Sequence, residues 1–538
     1  MKKNVNITPL LFNRKLWVIA LICCPVIYLA CNNTPGKKEV LTADATIPLS
    51  STVPTDIADP SDAQQAAQFA WQEFVALTWP AKVNANPAPG LSGFFRGQPS
   101  DTDSLGSTGA GGTVVWETFY HRDELYPSYK TASGNVLPDP NAIPNYTYPS
   151  YVQITPATPT TNMNLFNNMD EASEITLANM YFTPLAQKAD SIRKSIGSQP
   201  TPAQTQALNK ASVNASLIYE AKGNPVIFNY LKQTGFNNLS LRRPALAQSA
   251  NLVTNNMPPT GALFQLPNGS LEIKATWRHY NAAKDNLQTF HWTVGIYYTT
   301  AASGGLIANN DTLVLVALHI IQKTPNVPTF TFATFEHVSN DQNGFRFTNT
   351  NPLSNTSPKL PRALPDSGVI TAIRQFPIPG AGSAFNLVAY NQKVQNQLRA
   401  SYGSNVVWAN YQLIGIQAMP QNDPGGKVPA QQFFLSNFAT ETNDALQFFQ
   451  GGLAPPNNNI PNPDAAHVFV LNSTTKKYVG LTMGGCMGCH GSQGQFLGGD
   501  FSVIATTGNR FIPEPVKPYP GGIPVNQNPS GFPLPHGN

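Results

Sequence analysis

The chain has 538 residues, of which 41% are hydrophobic, 10% are aromatic and only 12% are charged. This balance supplies material for a large core and excludes an intrinsically disordered chain, which is poor in aromatic residues and rich in charge. The formal net charge is +4, and four cations precede residue 16 (Lys2, Lys3, Arg14 and Lys15), so the remainder is balanced. Nucleic-acid binding needs a basic surface that neutralises phosphates, so we expect no nucleic acid partner.

The N-terminus predicts a lipoprotein-type signal peptide over residues 1–30. An apolar stretch of about 15 residues follows Lys15, which is the length of a signal-peptide core and short for a membrane span. It ends before Cys31 in a way that resembles a bacterial lipoprotein signal, although Tyr28 stands where leucine is usual. We expect Cys31 to carry lipid and residues 31–60 to form a tether. An uncleaved signal anchor and ordinary cleavage nearby are the alternatives, and all three export the rest of the chain.

The rest of the chain predicts an α+β fold with a largely antiparallel sheet core, several helices and long loops. Apolar residues at helical spacing predict a helix over 61–77, capped by Ser61 or Asp62 and ended by Pro80. Further helices are predicted over 201–221 and 386–402. Runs rich in β-branched and aromatic residues predict strands over 271–280, 289–298, 312–322, 329–338, 406–417 and 467–471.

The five cysteines lie near the two ends of the chain. Cleavage would remove Cys23 and Cys24, and lipid would occupy Cys31, which leaves Cys486 and Cys489 for other chemistry in the mature protein. With His490 these form a C-x-x-C-H motif, in which two thiols on one short turn bond to the two vinyl groups of a haem and the adjacent imidazole binds its iron. We expect one covalently attached haem c, with His490 as the proximal iron ligand.

Two other uses of this motif remain as alternatives. A Cys-Cys-His zinc site lacks the second pair of ligands at the usual spacing. A simple disulfide or a redox-active pair normally lies between a strand and a helix, whereas glycines flank this motif.

We assign residues 61–480 to a main α+β body and residues 481–538 to a haem c attachment segment that packs on this body and does not fold independently.

The distal ligand of the iron is not evident near the motif. No methionine follows Met487, and His536 is the only later histidine. Either the main body supplies the ligand, or the sixth position of the iron is open; this choice separates electron transfer from catalysis. For every candidate histidine, a hydrogen-bonded role in the core is the alternative to iron ligation. The candidates are His319 in a continuous apolar run, His279 on an apolar strand face, His337 at a strand end, and also His121, His291, His467 and Met419.

Several segments resemble a group of exported bacterial c-type cytochrome proteins without an assigned role. They are Phe69–Pro80, Leu318–Thr324, Ala333–Val338, Cys486–Gly491 and Gly499–Ser502. The resemblance implies haem c at Cys486, Cys489 and His490, and it supplies no catalytic residues. It favours His319 and His337, because both fall inside these segments.

These observations predict an exported haem c protein that transfers electrons at the cell envelope. We expect a lipid anchor in a membrane facing the periplasm or the cell surface, and a redox partner protein or a small-molecule electron donor or acceptor. A haem enzyme of peroxidase or oxygenase type, with an open iron position, is the alternative, because the body is larger than electron transfer needs. A surface binding or structural protein is the second alternative. Arg278, Arg346 and Arg510 could pair with the haem propionates.

Overall fold

The computed structural model describes residues 46–85, 93–130, 136–138, 153–154, 167–169, 171–172, 217–261, 263–282, 285–300, 306–340, 378–420, 467–482 and 485–507. The predicted signal peptide, Cys31 and most of the predicted tether lie outside these residues. Helices and an antiparallel sheet are mixed along the chain, which confirms the α+β prediction. Among the described residues, no helix combines the length and apolar composition needed to cross a membrane.

The helices among the described residues are α1 (Ala63–Leu77), α2 (Arg122–Leu125), α3 (Pro225–Thr234), α4 (Leu239–Thr254), α5 (Leu387–Tyr402), α6 (Gly485–Gln493) and α7 (Val503–Thr507). The strands are β1 (Ala81–Val83), β2 (Phe94–Pro99), β3 (Tyr120–His121), β4 (Ser128–Lys130), β5 (Val136–Pro138), β6 (Gln153–Ile154), β7 (Glu171–Ala172), β8 (Leu217–Gly223), β9 (Leu271–His279), β10 (Trp292–Thr300), β11 (Leu306–Gln322), β12 (Thr331–His337), β13 (Tyr411–Gln417), β14 (His467–Leu471) and β15 (Tyr478–Thr482).

A nine-stranded sheet forms the centre of the fold. Its main path runs β13-β12-β11-β9-β8-β3, and β10 and β6 also pair with β11 while β7 pairs with β8. The pairs are antiparallel except for the short parallel pair of β6 and β11. On β11, His319 lies opposite Thr334 of β12 and Lys274 of β9. This register brings three polar side chains side by side on one face, because residues directly opposite each other point the same way.

The two faces of this sheet have different partners, because successive side chains of a strand alternate between faces. On one face, Phe335 packs against α1: its ring stacks on that of Phe74 with 4.2 Å between centroids and meets Trp71 edge-on at 5.0 Å. We call this the helix face. On the opposite face, Phe332 and Ile321 share an apolar cluster with residues of the C-terminal segment, including Met487 and Phe501. We call this the motif face.

The first helix forms as its sequence predicts. Asp62 is the N-cap, and its carboxylate accepts hydrogen bonds from the backbone N–H groups of Gln64 and Gln65 at 2.8 and 3.0 Å. The indole N–H of Trp71 donates to Asn391 of α5 at 3.0 Å, and the Asn391 amide donates to the Leu413 carbonyl of β13 at 2.8 Å. One buried asparagine therefore links two helices to the edge of the sheet.

The predicted elements that differ most from the structure are at residues 201–221 and 406–417. Residues 217–221 belong to strand β8 rather than to the end of a helix, and 201–216 lie outside the described residues. All seven residues of β8 are buried, and its charged pair, Lys222 and Glu220, meets at 3.2 Å. Glu220, which falls inside the predicted helix, is instead paired with Lys222 inside the protein. Residues 407–410 form a 3-10 turn before β13 begins.

Candidate functional site

The C-x-x-C-H motif lies at the start of helix α6, which follows strand β15. The motif therefore does lie between a strand and a helix, so the flanking glycines do not argue against a redox-active pair. Residues three apart in a helix point to the same side, so Cys486 and Cys489 present their sulfur atoms along one turn. Both cysteines carry thiols rather than a disulfide; Cys486 is buried and Cys489 is half-buried. Two neighbouring thiols, one of them reachable from solvent, suit attachment to the two vinyl groups of one haem.

Helix α6 is fixed to the motif face by its backbone and by the residue between the cysteines. Met487 is fully buried, and its backbone N–H donates to the Gln417 side-chain carbonyl at the end of β13 at 2.7 Å. Beyond the helix, the Gln495 amide forms two hydrogen bonds with the backbone of Phe469 in β14, at 2.6 and 2.8 Å. The C-terminal segment is thus held to two different strands of the body.

A glycine after α6 allows close contact with α4. Gly498 has a φ of +85°, and a Cβ atom at this position would collide with the carbonyl of Leu246. Any residue other than glycine is disfavoured at this position, because the left-handed backbone would be strained and the close approach of the two backbones leaves no space for a side chain. This contact holds the turn that follows the motif against the body.

The turn after Gly498 determines how His490 is oriented. The Nδ1 atom of His490 lies 2.8 Å from the carbonyl oxygen of Phe501, so Nδ1–H donates to this carbonyl and the lone pair is left on Nε2. Asp500 precedes this carbonyl and accepts from the Lys323 ammonium at 2.6 Å and from the Leu266 backbone N–H at 3.1 Å. The tautomer of His490 is therefore selected by a turn that is itself tied to the body.

Burial keeps the His490 imidazole neutral. It lowers the pKa of His490 to about 4; the hydrogen bond to Phe501 opposes this effect and the Lys274 ammonium adds to it. The Phe332 ring lies 4.8 Å from the His490 ring between centroids. A neutral imidazole with Nε2 available and Nδ1 bonded to a carbonyl is the form in which histidine binds a metal.

His319 lies next to His490 on the motif face. The two ring centroids are 6.4 Å apart, with the ring planes at 39°. The Nδ1 atom of His319 is 2.6 Å from the Thr334 hydroxyl, and its Nε2 atom makes no hydrogen bond with any described residue. Burial lowers the pKa of His319 well below its usual value, with further lowering by His490 and by the Lys274 ammonium. His319 is therefore a second neutral imidazole at this site.

Lys274 supplies a cation beside both histidines. It is the cross-strand neighbour of His319, it is half-buried, and its ammonium lies 5.3 Å from the centre of the Tyr219 ring. Such a cation suits a haem propionate. Among the arginines considered for this role, Arg278 pairs with Asp285 at 2.6 and 2.8 Å, and Arg346 and Arg510 lie outside the described residues.

The structure places the other candidate distal ligands away from the motif. His337 is on the helix face, where its Nδ1 contacts the Ser339 hydroxyl at 2.7 Å and its Nε2 the Thr289 carbonyl at 2.9 Å. His279 shares this face by strand alternation and bonds Asp311 through Nδ1 at 2.9 Å. His121 bonds the Asn168 carbonyl, His291 bonds the Ala110 carbonyl, Met419 is exposed, and the side chain of His467 is outside the described set.

The residues brought together fit a covalently held haem: two thiols on one turn, an oriented proximal imidazole, a second imidazole and a cation. Within the described ranges, no group of three or more His, Cys, Asp or Glu side chains is arranged to bind a bare metal ion. Sequence reasoning missed Lys274, Thr334 and the Phe501 carbonyl. Thr334 lies inside a segment that carried the resemblance, but only the strand register shows that it faces His319.

The comparisons with known proteins add no relative. No family model matches the chain, and neither a curated protein nor a solved structure is similar to it.

Proposed function

We propose that this chain is an exported haem c protein that transfers electrons at the cell envelope. Cys486 and Cys489 would hold one haem through thioether bonds, and His490 would bind its iron. The haem supplies a one-electron couple between ferric and ferrous iron. The main body holds the attachment helix and keeps both histidines neutral.

The observation that carries the proposal is the hydrogen bond from His490 to Phe501. A C-x-x-C-H sequence used only as a disulfide or a surface loop has no need to fix the ring of its histidine. Here the 2.8 Å contact with a backbone carbonyl leaves Nε2 as the electron-pair donor. Because that carbonyl is itself fixed through Asp500, the ring is prepared for a metal on its other nitrogen.

The neighbourhood of His490 favours electron transfer over catalysis. A haem enzyme needs an open iron position for its substrate, whereas electron transfer needs only a haem near the surface with a tuned potential. The site has a second neutral imidazole 6.4 Å from the first. The peroxidase- or oxygenase-like alternative predicts instead that added carbon monoxide or peroxide reaches the iron.

The predicted anchor complements this function. Lipid on Cys31, followed by a tether, would keep the haem near a membrane while allowing the body to meet a redox partner protein or a small-molecule donor or acceptor. The proposed location is the outer side of the cytoplasmic membrane, where haem c is attached, or a membrane beyond it.

The test is expression of the full chain, with its signal, in a bacterial host that matures c-type cytochromes. We expect one haem that survives acid–acetone extraction and a reversible one-electron wave in protein-film voltammetry. Cys489→Ser should lose one thioether bond, whereas the matched variant Cys31→Ser, which changes the only other cysteine of the predicted mature chain besides Cys486, should keep both. Haem that is wholly extractable would contradict the proposal, and so would attached haem that turns over peroxide without a reversible wave.

A further inference from the structure

We propose that His319 is the sixth ligand of the haem iron, opposite His490. This inference deepens the proposed function and rests on it, because it needs haem at Cys486 and Cys489. The haem would then be bound by helix α6 and by the central strand β11, rather than by α6 alone.

The spacing of the two rings supports this assignment. An imidazole nitrogen binds a transition metal at about 2.0 Å, and the nitrogen lies about 1.1 Å from the centre of its ring, so two imidazoles on opposite sides of one iron place their ring centres about 6.2 Å apart. The centroids of His319 and His490 are 6.4 Å apart.

The hydrogen bonds of the two histidines follow the same scheme. The Nδ1 atom of His490 is bonded to the Phe501 carbonyl, and that of His319 is bonded to the Thr334 hydroxyl at 2.6 Å. In each ring the nitrogen that remains is Nε2. A polar nitrogen inside a protein normally finds a partner. Iron would satisfy both nitrogens at once.

Among the described residues, His279 shares the bonded Nδ1 and the unpartnered Nε2 of His319, so the face of the sheet is what distinguishes the two. His337 uses both ring nitrogens on the helix face, and His279 is paired with Asp311 there. His319 is on the motif face, where Phe332 contacts the His490 ring. Of the candidate histidines whose side chains are described, it alone is within ring contact of His490.

Thr334 acts as a positioning residue for His319. When Nδ1–H of His319 donates to the Thr334 hydroxyl, the imidazole becomes a stronger electron donor through Nε2, which stabilises ferric over ferrous iron. Removing the hydroxyl should therefore raise the midpoint potential while leaving the imidazole in place. A purely structural role for Thr334 would not move the potential in this direction.

The experiment uses the matured holoprotein and begins with the wild type. We expect a six-coordinate low-spin visible spectrum in both oxidation states, no carbon monoxide binding by the ferrous form, and an electron paramagnetic resonance signal of a bis-imidazole haem. His319→Gln should give high-spin haem that binds carbon monoxide. His337→Gln is the matched control, a buried imidazole of the same sheet on the opposite face, and it should stay low-spin. Thr334→Val should stay low-spin with a higher midpoint potential.

The outcomes separate this inference from the proposed function. High-spin wild-type haem that binds carbon monoxide would overturn the inference, as would a low-spin spectrum unchanged in His319→Gln. In both cases haem that resists extraction would leave the attachment at Cys486 and Cys489 intact. Absence of attached haem would instead remove the proposed function. Should His319→Gln not accumulate, the wild-type resonance signal decides alone, because a histidine–methionine or five-coordinate haem gives a different signal.

Discussion

The ion pair between Lys323 and Asp500 should contribute strongly to the stability of the site. Lys323 follows β11, and Asp500 directly precedes the residue whose carbonyl accepts the His490 hydrogen bond. The two charged groups are 2.6 Å apart, with side chains only 5% and 10% exposed. Lys323→Met keeps the length of the side chain but removes its charge, leaving a nearly buried carboxylate without its cation.

The expected loss follows from burial. Removing one partner of a buried ion pair costs about 3–5 kcal/mol, because the remaining charge is poorly solvated. The matched control is Lys82→Met, the same substitution in a pair at 2.5 Å with Asp101 whose side chains are 38% and 72% exposed. An exposed pair contributes about 0–1 kcal/mol, so the two variants should differ by roughly 3 kcal/mol.

Urea unfolding of the matured protein, followed by tryptophan fluorescence and by haem absorbance, measures both losses. The double variant Lys323→Met with Asp500→Asn should recover part of the stability, since it no longer buries an unpaired charge. Equal losses of stability in Lys323→Met and Lys82→Met would refute the reasoning, because they would show that burying an ion pair does not increase the cost of removing one partner.

Three further substitutions test the buried groups. Burial raises the pKa of Glu272 to about 7 against an opposing Ser502 hydrogen bond, so the folded protein holds this proton more tightly than the unfolded chain does. The free energy of unfolding should therefore fall by ~3 kcal/mol as the pH rises from about 4.5 to about 7. Urea unfolding across this window should show that fall in the wild type and not in Glu272→Gln. Burial also raises the pKa of Glu73, and neither carboxylate oxygen has a hydrogen-bond partner among the described residues, so Glu73→Met should stabilise the protein by about 1–3 kcal/mol near neutral pH; a loss would contradict this. Gly498→Ala should lower the melting temperature much more than Gly382→Ala does. Gly382 is the control because its φ is +94° and an added Cβ there would have no atom within 4 Å. Equal shifts in the two variants would contradict the close contact between Gly498 and Leu246.

The parts of the fold that could be predicted from sequence are those specified locally. The cap, spacing and stop of α1 lie within one segment, and so does β12. Strand β8 could not be predicted in this way, because its buried Lys222 and Glu220 are acceptable only when paired with each other and covered by the sheet. The helix predicted over 201–221 was therefore wrong at residues 217–221, where tertiary packing decided the outcome.

The site shows the same division. The sequence predicts roles for Cys486, Cys489 and His490 because attachment chemistry requires one short spacing, and these roles stay predictions. His319 could be named as a candidate but not distinguished from His279 and His337, because strand alternation and register decide which face each ring occupies. Lys274 and Thr334 gave no signal of their own in the sequence, since their proximity to the histidines exists only once β9, β11 and β12 are paired.

Mass spectrometry of the matured protein tests the central claim most directly. We predict that the intact chain gains the mass of one haem, and that proteolysis locates all of it on the peptide containing Cys486, Cys489 and His490. A chain of unmodified mass, with both of these thiols open to alkylation after unfolding, would contradict covalent attachment and everything that depends on it.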